Sequence, residues 1–410
     1  MKDKELTWLD NLKVRAGWGQ VGNDGVNQSD FVTTIGSSNS VFYGYPLGKS
    51  VQYGSAVLKL ADVNGKWETN EQWDAGIDFS FWNGMLSGSV DWFLRDTKDA
   101  LLYVNAPAQV GNRYPMVKNV GVIRNQGVEV ALNHDNRVGK FHYSIGGNVS
   151  WIKNELKDLN GGSPRYENGT LLKTDMGLPL NSFWGYIYEG VYQTNAEAAY
   201  FTNQNMHAGD AKYTDLNGDH ELSNDDYTYL GNAFPKVTYG LNFSADFYGV
   251  DVQLFFQGVA GNKIYNALRI RTEGAGDECA MSTAMRDVWI GYDNEETQRY
   301  ISKYGALYID MENRAGTIPN PVGSTSNTAN STRFLEDGSY LRLKNVQIGY
   351  TLPKKITEKA FISRLRFYVT ASNLFTITKY SGYDPEVGGG VDYGNYPQSR
   401  TFTFGLNANF

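Results

Sequence analysis

Arg400-Thr-Phe-Thr-Phe-Gly-Leu-Asn-Ala-Asn-Phe410 closes the chain and decides its fold class. In an extended strand Phe402, Phe404, Leu406, Ala408 and Phe410 share one face, and Thr401, Thr403, Gly405, Asn407 and Asn409 share the other. About ten residues cross a bilayer as a tilted strand. One unbroken apolar face, with no charged side chain after Arg400, reads as a membrane-crossing β-strand.

The same alternation recurs upstream in pairs. Trp73, Ala75, Ile77, Phe79 and Phe81 oppose Asp74, Gly76, Asp78 and Ser80, and after Asn83-Gly84 the pattern returns with Leu86, Val90, Trp92 and Leu94. A strand, an Asn-Gly turn and a strand predict a hairpin. Further hairpins are expected with turns at Asp135 to Gly139, at Tyr248-Gly249 and at Pro353-Lys354-Lys355. Leu341 and Leu343 change phase to Val346, Ile348 and Tyr350, which predicts a bulge at Lys344-Asn345. Leu12, Val14, Ala16 and Trp18 begin the series. Residues 20 to about 66, rich in Gly, Ser and Asn, read as a long surface loop.

Four short turns alternating with links of roughly 25 to 80 residues place the short connections on one rim and the long ones on the other. The expected fold is all-β: an antiparallel transmembrane β-barrel portion of about ten strands with long extracellular loops. Residues 153–236 form one extracellular excursion, with Trp184 to Gln193 as a hairpin above the membrane. Residues 259–338 form a second, with a helix expected over Ala280 to Lys303.

Composition agrees. Hydrophobic residues make up only 41% of the chain, while Gly (45) and Tyr (28) are abundant, as strands that are half polar require. No apolar run approaches the roughly 18 residues of a membrane helix. A net charge of −7 offers no basic footprint for nucleic acid. Cys279 is the only cysteine, which excludes an internal disulfide. The opening Met-Lys-Asp-Lys-Glu-Leu-Thr-Trp-Leu-Asp has no apolar h-region, so no signal peptide is expected in it.

Several stretches resemble the SusC/RagA family of TonB-dependent outer-membrane transporters of Bacteroidetes. They are Asn11 to Gly19, Asn125-Gln-Gly-Val-Glu129, Ser182 to Gly190, Asp210 through Asp226, Leu335 to Pro353, Asn373-Leu-Phe375 and Gly382-Tyr-Asp-Pro-Glu386. The resemblance spans nearly all 410 residues. It implies the C-terminal part of a barrel of about 22 strands, cell outer-membrane localisation, and uptake of an oligosaccharide or peptide. It also implies a SusD-like surface lipoprotein partner and energy from TonB through an N-terminal plug. Plug, TonB box and signal peptide are expected to be absent from these residues, making the chain a fragment of a transporter.

The sharpest local motif is Asp215-Leu-Asn217-Gly-Asp219-His-Glu221, continuing to Asp226. Side-chain oxygens of Asp215, Asn217, Asp219 and Asp226, with the carbonyl of Glu221, match loop spacing that wraps hard oxygen ligands around Ca²⁺. His220 stands where glycine makes the sharp turn, and Asp226 is shorter than the usual bidentate Glu. The competing reading is a turn-rich loop. Gly17-Trp-Gly19-Gln-Val-Gly22 spells a dinucleotide fingerprint but opens no helix, so it reads as a strand end. His134, His142, His207 and His220 have no metal-motif spacing and read as lining or loop residues. No nucleophile elbow and no His-Glu-x-x-His is present, and no enzyme is expected. Phe42, Tyr43, Tyr45, Trp67, Tyr192, Tyr200, Trp289, Tyr292 and Tyr383 are candidate sugar-stacking aromatics, which could equally form girdles or pack loops. The alternative function is a soluble, calcium-stabilised β-sandwich that binds glycans, its apolar faces packed between two sheets.

Overall fold

The computed structural model describes residues 8–25, 32–36, 56–62, 64–104, 109, 114, 116–119, 121–159, 164–167, 169–274, 281–289, 316–321 and 325–410. Its frame is a ten-stranded antiparallel sheet in which every strand neighbours the next in sequence. The strands are β1 (Leu9–Asn23), β2 (Glu68–Phe81), β3 (Leu86–Lys98), β4 (Val122–Val138), β5 (Phe141–Asp158), β6 (Val237–Phe247), β7 (Val250–Ala260), β8 (Tyr340–Thr351), β9 (Arg364–Thr378) and β10 (Thr401–Asn409). The chain divides into two compact units, one built mainly on β1 to β5 and the other on residues 181–410.

Register explains why alternation survives across strands. In the second unit Ala245 sits opposite Val252, which sits opposite Ile348, then Val369, then Phe404. One residue along, the row is Ser244, Gln253, Gln347, Thr370 and Thr403. In the first unit Val14, Ile77, Val90 and Val130 line up, beside a row of Arg15, Gly76, Asp91 and Glu129. Because side chains alternate with period two, each aligned row belongs wholly to one face.

Short turns end the strands on one rim. Tyr248 and Gly249 both have positive φ, the twist-matched geometry of a two-residue hairpin. Trp82, Asn83 and Gly84 also sit at positive φ. The third turn lies later than the Asp135 to Gly139 expectation. β4 runs on through Asn136 to Val138, because ladder hydrogen bonds such as Asp135 N–H to Met85 C=O override the turn chemistry of an Asn/Asp-rich stretch. The fourth connection contains the helical turn Lys354–Thr357 and the 3₁₀ turn Glu358–Ala360. The bulge is where the phase change puts it: pairing slips between Leu343 and Asn345 on β8. The extra residue, Lys344, meets Glu386 at 2.6 Å.

Between β1 and β2, where one surface loop was expected, β1 itself continues to Asn23, and Thr34–Gly36 pairs with Ala56–Lys59. The Gly17 to Gly22 stretch lies within β1, as a strand rather than a nucleotide loop. Trp184 to Gln193 is not a hairpin. Ser182–Gly185 pairs with Leu172–Thr174 and Thr228–Asn232, whereas Tyr188–Val191 pairs with Ala211–Tyr213. The parallel bridge of Tyr186 to Ser331 holds the intervening residues, so the two strands separate into different sheets. Of the helix expected over Ala280 to Lys303, Thr283–Asp287 is a 3₁₀ turn; Cys279, Ala280 and residues from 290 to 303 lie outside the described residues.

Candidate functional site

Two regions could carry function: the polar face of the sheet, and the elements gathered from the long connections. The polar face is laced with ion pairs that span strands. In the first unit Arg15 forks onto Asp78 at 2.7 and 2.8 Å and reaches Asp91 at 2.8 Å. Asp91 is two strands away, and between them on β2 lies Gly76. A Cβ at Gly76 would overlap Asp91 Oδ1, so glycine is what lets the pair close over the middle strand. Toward the long-connection ends of β1 to β4, two further ion pairs stand on the opposite face, the one that carries Trp73 and Trp92: Glu71 accepts from Lys98, from Gln20 at 2.9 Å and from Trp73 Nε1 at 3.3 Å. Arg124 grips Asp96 through two bonds of 2.8 and 2.7 Å.

The second unit repeats the device. Arg366 on β9 reaches across Gly349 on β8 to both oxygens of Asp251 on β7, and also donates to Gln347 at 2.9 Å. A Cβ on Gly349 would stand 2.5 Å from Arg366 Nη2 and 2.6 Å from Asp251 Oδ1. These groups line a recess of about 510 Å³ with Asp246, Gln253, Arg364 and Asn407. His142 meets Asp246 at 2.8 Å, which puts this histidine on the polar face as expected. Toward the short turns, the Arg15–Asp78–Asp91 and Arg366–Asp251 groups keep to one face of strands that are apolar on the other, the pattern of a water-filled or protein-filled interior.

The long-connection elements of the second unit have two cores. Leu171, Leu172, Phe183, Tyr265, Ala267 and Phe334 form one; Tyr186, Tyr192, Phe201, Met206, Tyr213 and Leu222 form the other. Burial pushes the Tyr192 hydroxyl up to about 12 and raises Tyr213 as well. A buried charge cluster ties the helix Ala267–Glu273 to Thr332–Phe334. Glu273 accepts from Arg269 at 2.6 Å and from Arg333 at 3.0 Å, and Arg269 also meets Glu336 at 3.1 Å. Burial lowers the Arg333 pKa, with Glu273 opposing it. Above the sheet's bulge, buried Arg342 donates to Asp384 at 2.7 Å and stands 3.3 Å from Glu386 in ion-pair but not hydrogen-bond geometry. Burial alone would raise the Asp384 carboxyl, but Arg342 and the backbone N–H groups of Gln398 and Glu386 hold it below the usual carboxylate value.

Asp215, Asn217, Asp219, Glu221 and Asp226 occupy one loop. Asp215 accepts from the N–H of Gly218 at 2.6 Å and of His220 at 3.0 Å, and from Tyr200 Oη at 3.2 Å. Despite some desolvation, the Gly218 and His220 N–H groups hold its pKa below the ordinary value. Asn217 Oδ1 accepts from Asp219 N–H, and Asp219 Oδ1 from Glu221 N–H. Asp226 is buried and takes the N–H groups of Leu216 and Ser223. His220, at φ +61°, adopts the left-handed turn in place of glycine and packs its ring 4.4 Å from Tyr200. The carboxylates are thus turned onto backbone donors, and among the described residues no three His, Cys, Asp or Glu side chains are grouped to hold a metal ion.

Of the stacking candidates, Tyr192 and Trp289 are buried, whereas Trp67, Tyr200 and Tyr383 are exposed; Phe42, Tyr43, Tyr45 and Tyr292 lie outside the described residues. Sequence reading passed over Tyr166 and Trp184, on either side of Lys173, whose ammonium sits 3.8 Å from the Trp184 ring centre. The signal was present in the alternation of Leu172, Lys173 and Thr174, but their partners were not.

The chain matches a family model described as TonB dependent receptor-like, beta-barrel, over residues 5–259. The chain belongs to this family. It is 29% identical to the TonB-dependent receptor P3 of Formosa agariphila, covering 99% of this chain and 40% of that protein. It is 29% identical to the TonB-dependent receptor SusC of Bacteroides thetaiotaomicron, over 99% of this chain and 38% of the relative. In fold it resembles the RagAB peptide transporter, with a TM-score of 0.78 at 24% identity, covering 98% of this chain and 41% of that one. The chain therefore spans about 40% of the length of the relatives it matches.

Proposed function

We propose that this chain is the C-terminal barrel wall of a SusC-like importer in the cell outer membrane, taking up an oligosaccharide or a peptide. The observation that carries the reading is the pair of adjacent cross-strand rows. Ala245, Val252, Ile348, Val369 and Phe404 form a continuous apolar face, while Arg366, Asp251 and Gln347 interact on the other. Phe404 leaves 79% of its surface uncovered. A soluble monomer seldom exposes an apolar patch beyond a few hundred Å², and a sandwich would cover such rows with a second sheet. Here Ile348 and Val369 are exposed along with Phe404. Lipid supplies what water and the fold do not.

In this reading the polar face lines the route of the cargo or holds a plug, and no bond of the cargo is made or broken. Energy comes from TonB acting on a plug, and a SusD-like surface lipoprotein closes the long-connection side. The exposed Trp67, Tyr383 and Tyr396 offer faces on which sugar rings or peptide side chains can stack. The test is genetic. Deleting the coding sequence in its host and complementing it should abolish growth on one class of nutrient, oligosaccharide or peptide, and restore it. Unchanged growth and unchanged uptake of labelled substrates of both classes would reject import.

A further inference from the structure

Resting on the membrane reading of the apolar face, we propose that the connection between β8 and β9 is a bilayer anchor that binds anionic phospholipid headgroups on the short-turn side. The hairpins at residues 82–85, 139–140 and 248–249 turn tightly, but this connection does not. Leu352 N–H already bonds to Leu365 C=O at 2.9 Å, so the residues between them extend past a ladder that is closed without them.

Their conformation is nonetheless fixed. Ile356 N–H bonds to Pro353 C=O at 2.9 Å, Phe361 N–H to Glu358 C=O at 3.1 Å and Ile362 N–H to Thr357 C=O at 3.1 Å. Thr357 is buried and its hydroxyl donates to Lys354 C=O at 3.3 Å. Phe361 sits at φ +57°, a left-handed conformation that bulky residues seldom adopt. The result of this ordered, strained turn is to leave two apolar side chains in the open: Phe361 is 90% exposed and Ile356 57% exposed. In water that arrangement is unfavourable; at a bilayer surface it buries apolar area.

Charge and continuity name the occupant. Lys355 and Lys359 have no ion pair among the described residues, and Lys354 meets Glu358 only at 3.4 Å with both side chains exposed. The turn therefore carries three lysines against one glutamate, which complements phosphate headgroups. It is also continuous with the lipid-facing rows, since β8 and β9 enter it through Tyr350 and Phe367, which pair on that face.

The test uses the 410-residue chain carrying Cys279→Ser, with spin labels attached through Phe361→Cys, Ile356→Cys or, as a reference on β10, Phe404→Cys. Each is folded into vesicles of phosphatidylcholine with or without phosphatidylglycerol, and label accessibility to oxygen and to a water-soluble relaxant is compared. Labels at 356 and 361 should reside in the bilayer when phosphatidylglycerol is present. Replacing Lys354, Lys355 and Lys359 together with Gln should cut the immersed fraction on the order of tenfold. Labels at 356 and 361 in water while 404 is in lipid would overturn the anchor and leave the barrel standing. Immersion that is indifferent to phosphatidylglycerol would overturn headgroup recognition. A label at 404 in water would overturn the membrane reading itself.

Discussion

Gly349→Ala should break an ion pair in which Gly349 takes no part. The new Cβ would fall 2.5 Å from Arg366 Nη2 and 2.6 Å from Asp251 Oδ1, distances at which backbone-anchored carbon cannot remain beside either atom. Arg366 must then swing away, losing both bonds to Asp251 and straining its 2.9 Å bond to Gln347. Hydrogen bonds to charged groups contribute about 1.5–3 kcal/mol each, and the pair is more than three-quarters covered, so partial screening leaves a net cost of about 2–3 kcal/mol. The assay is unfolding of the micelle- or vesicle-folded chain by urea, read from heat-modifiable gel mobility. The control is the same substitution in a background of Arg366→Gln and Asp251→Asn. There the clash has nothing to break, and the cost should fall below about 1 kcal/mol. A cost that is equal in both backgrounds would refute the idea that glycine exists here to let the pair cross the strand.

Three further outcomes follow from the long-connection elements. Glu273→Gln leaves the half-buried Arg269 and the buried Arg333 without their shared carboxylate, and should cost about 3–5 kcal/mol locally, seen as faster hydrogen exchange in Ala267–Glu273 and Thr332–Phe334. The folded-state pKa of Asp384 lies below its ordinary value of 3.8, so unfolding takes up a proton in acid. Its contribution is complete above that value and is lost as pH falls through the depressed one, and Asp384→Asn should remove that acid limb from a stability profile. For calcium at Asp215, Asn217, Asp219, Glu221 and Asp226, the existing backbone bonds predict a loop equally resistant to protease in EGTA and in calcium. A saturable gain in protection at about millimolar Ca²⁺, lost in Asp219→Ala, would instead establish the ion.

The period-two segments made most of the sheet legible, because each strand shows its two faces without knowledge of its neighbours. Phe402 to Phe410 and Trp73 to Phe81 needed only their own residues, and even the Lys344 bulge appeared as a change of phase. Register was not legible. That Arg366 would meet Asp251, 115 residues earlier, over a glycine on a third strand depends on pairings that no local pattern states. The long connections were the least readable, for the same reason. Phe183 and Phe334 share a core, and Glu273 joins Arg333 across 60 residues, so segments that look irregular singly are ordered by distant partners. Asp135 to Val138, expected within a turn, show the converse: turn chemistry lost to strand pairing. In the Asp215 loop the Asp and Asn spacing was legible, but not the bonds that its side chains make to its own backbone.

In the proposed barrel wall, one face of this sheet meets lipid and the other does not. The direct measurement is a cysteine scan from Thr401 to Phe410 in a Cys279→Ser background, folded into bilayers, with a lipid-depth quencher and an aqueous quencher applied at each position. Strict alternation is expected: 402, 404, 406, 408 and 410 quenched from lipid, and 401, 403, 405, 407 and 409 not. Loss of period two, or aqueous access at Phe404 equal to that at Thr403, would contradict it.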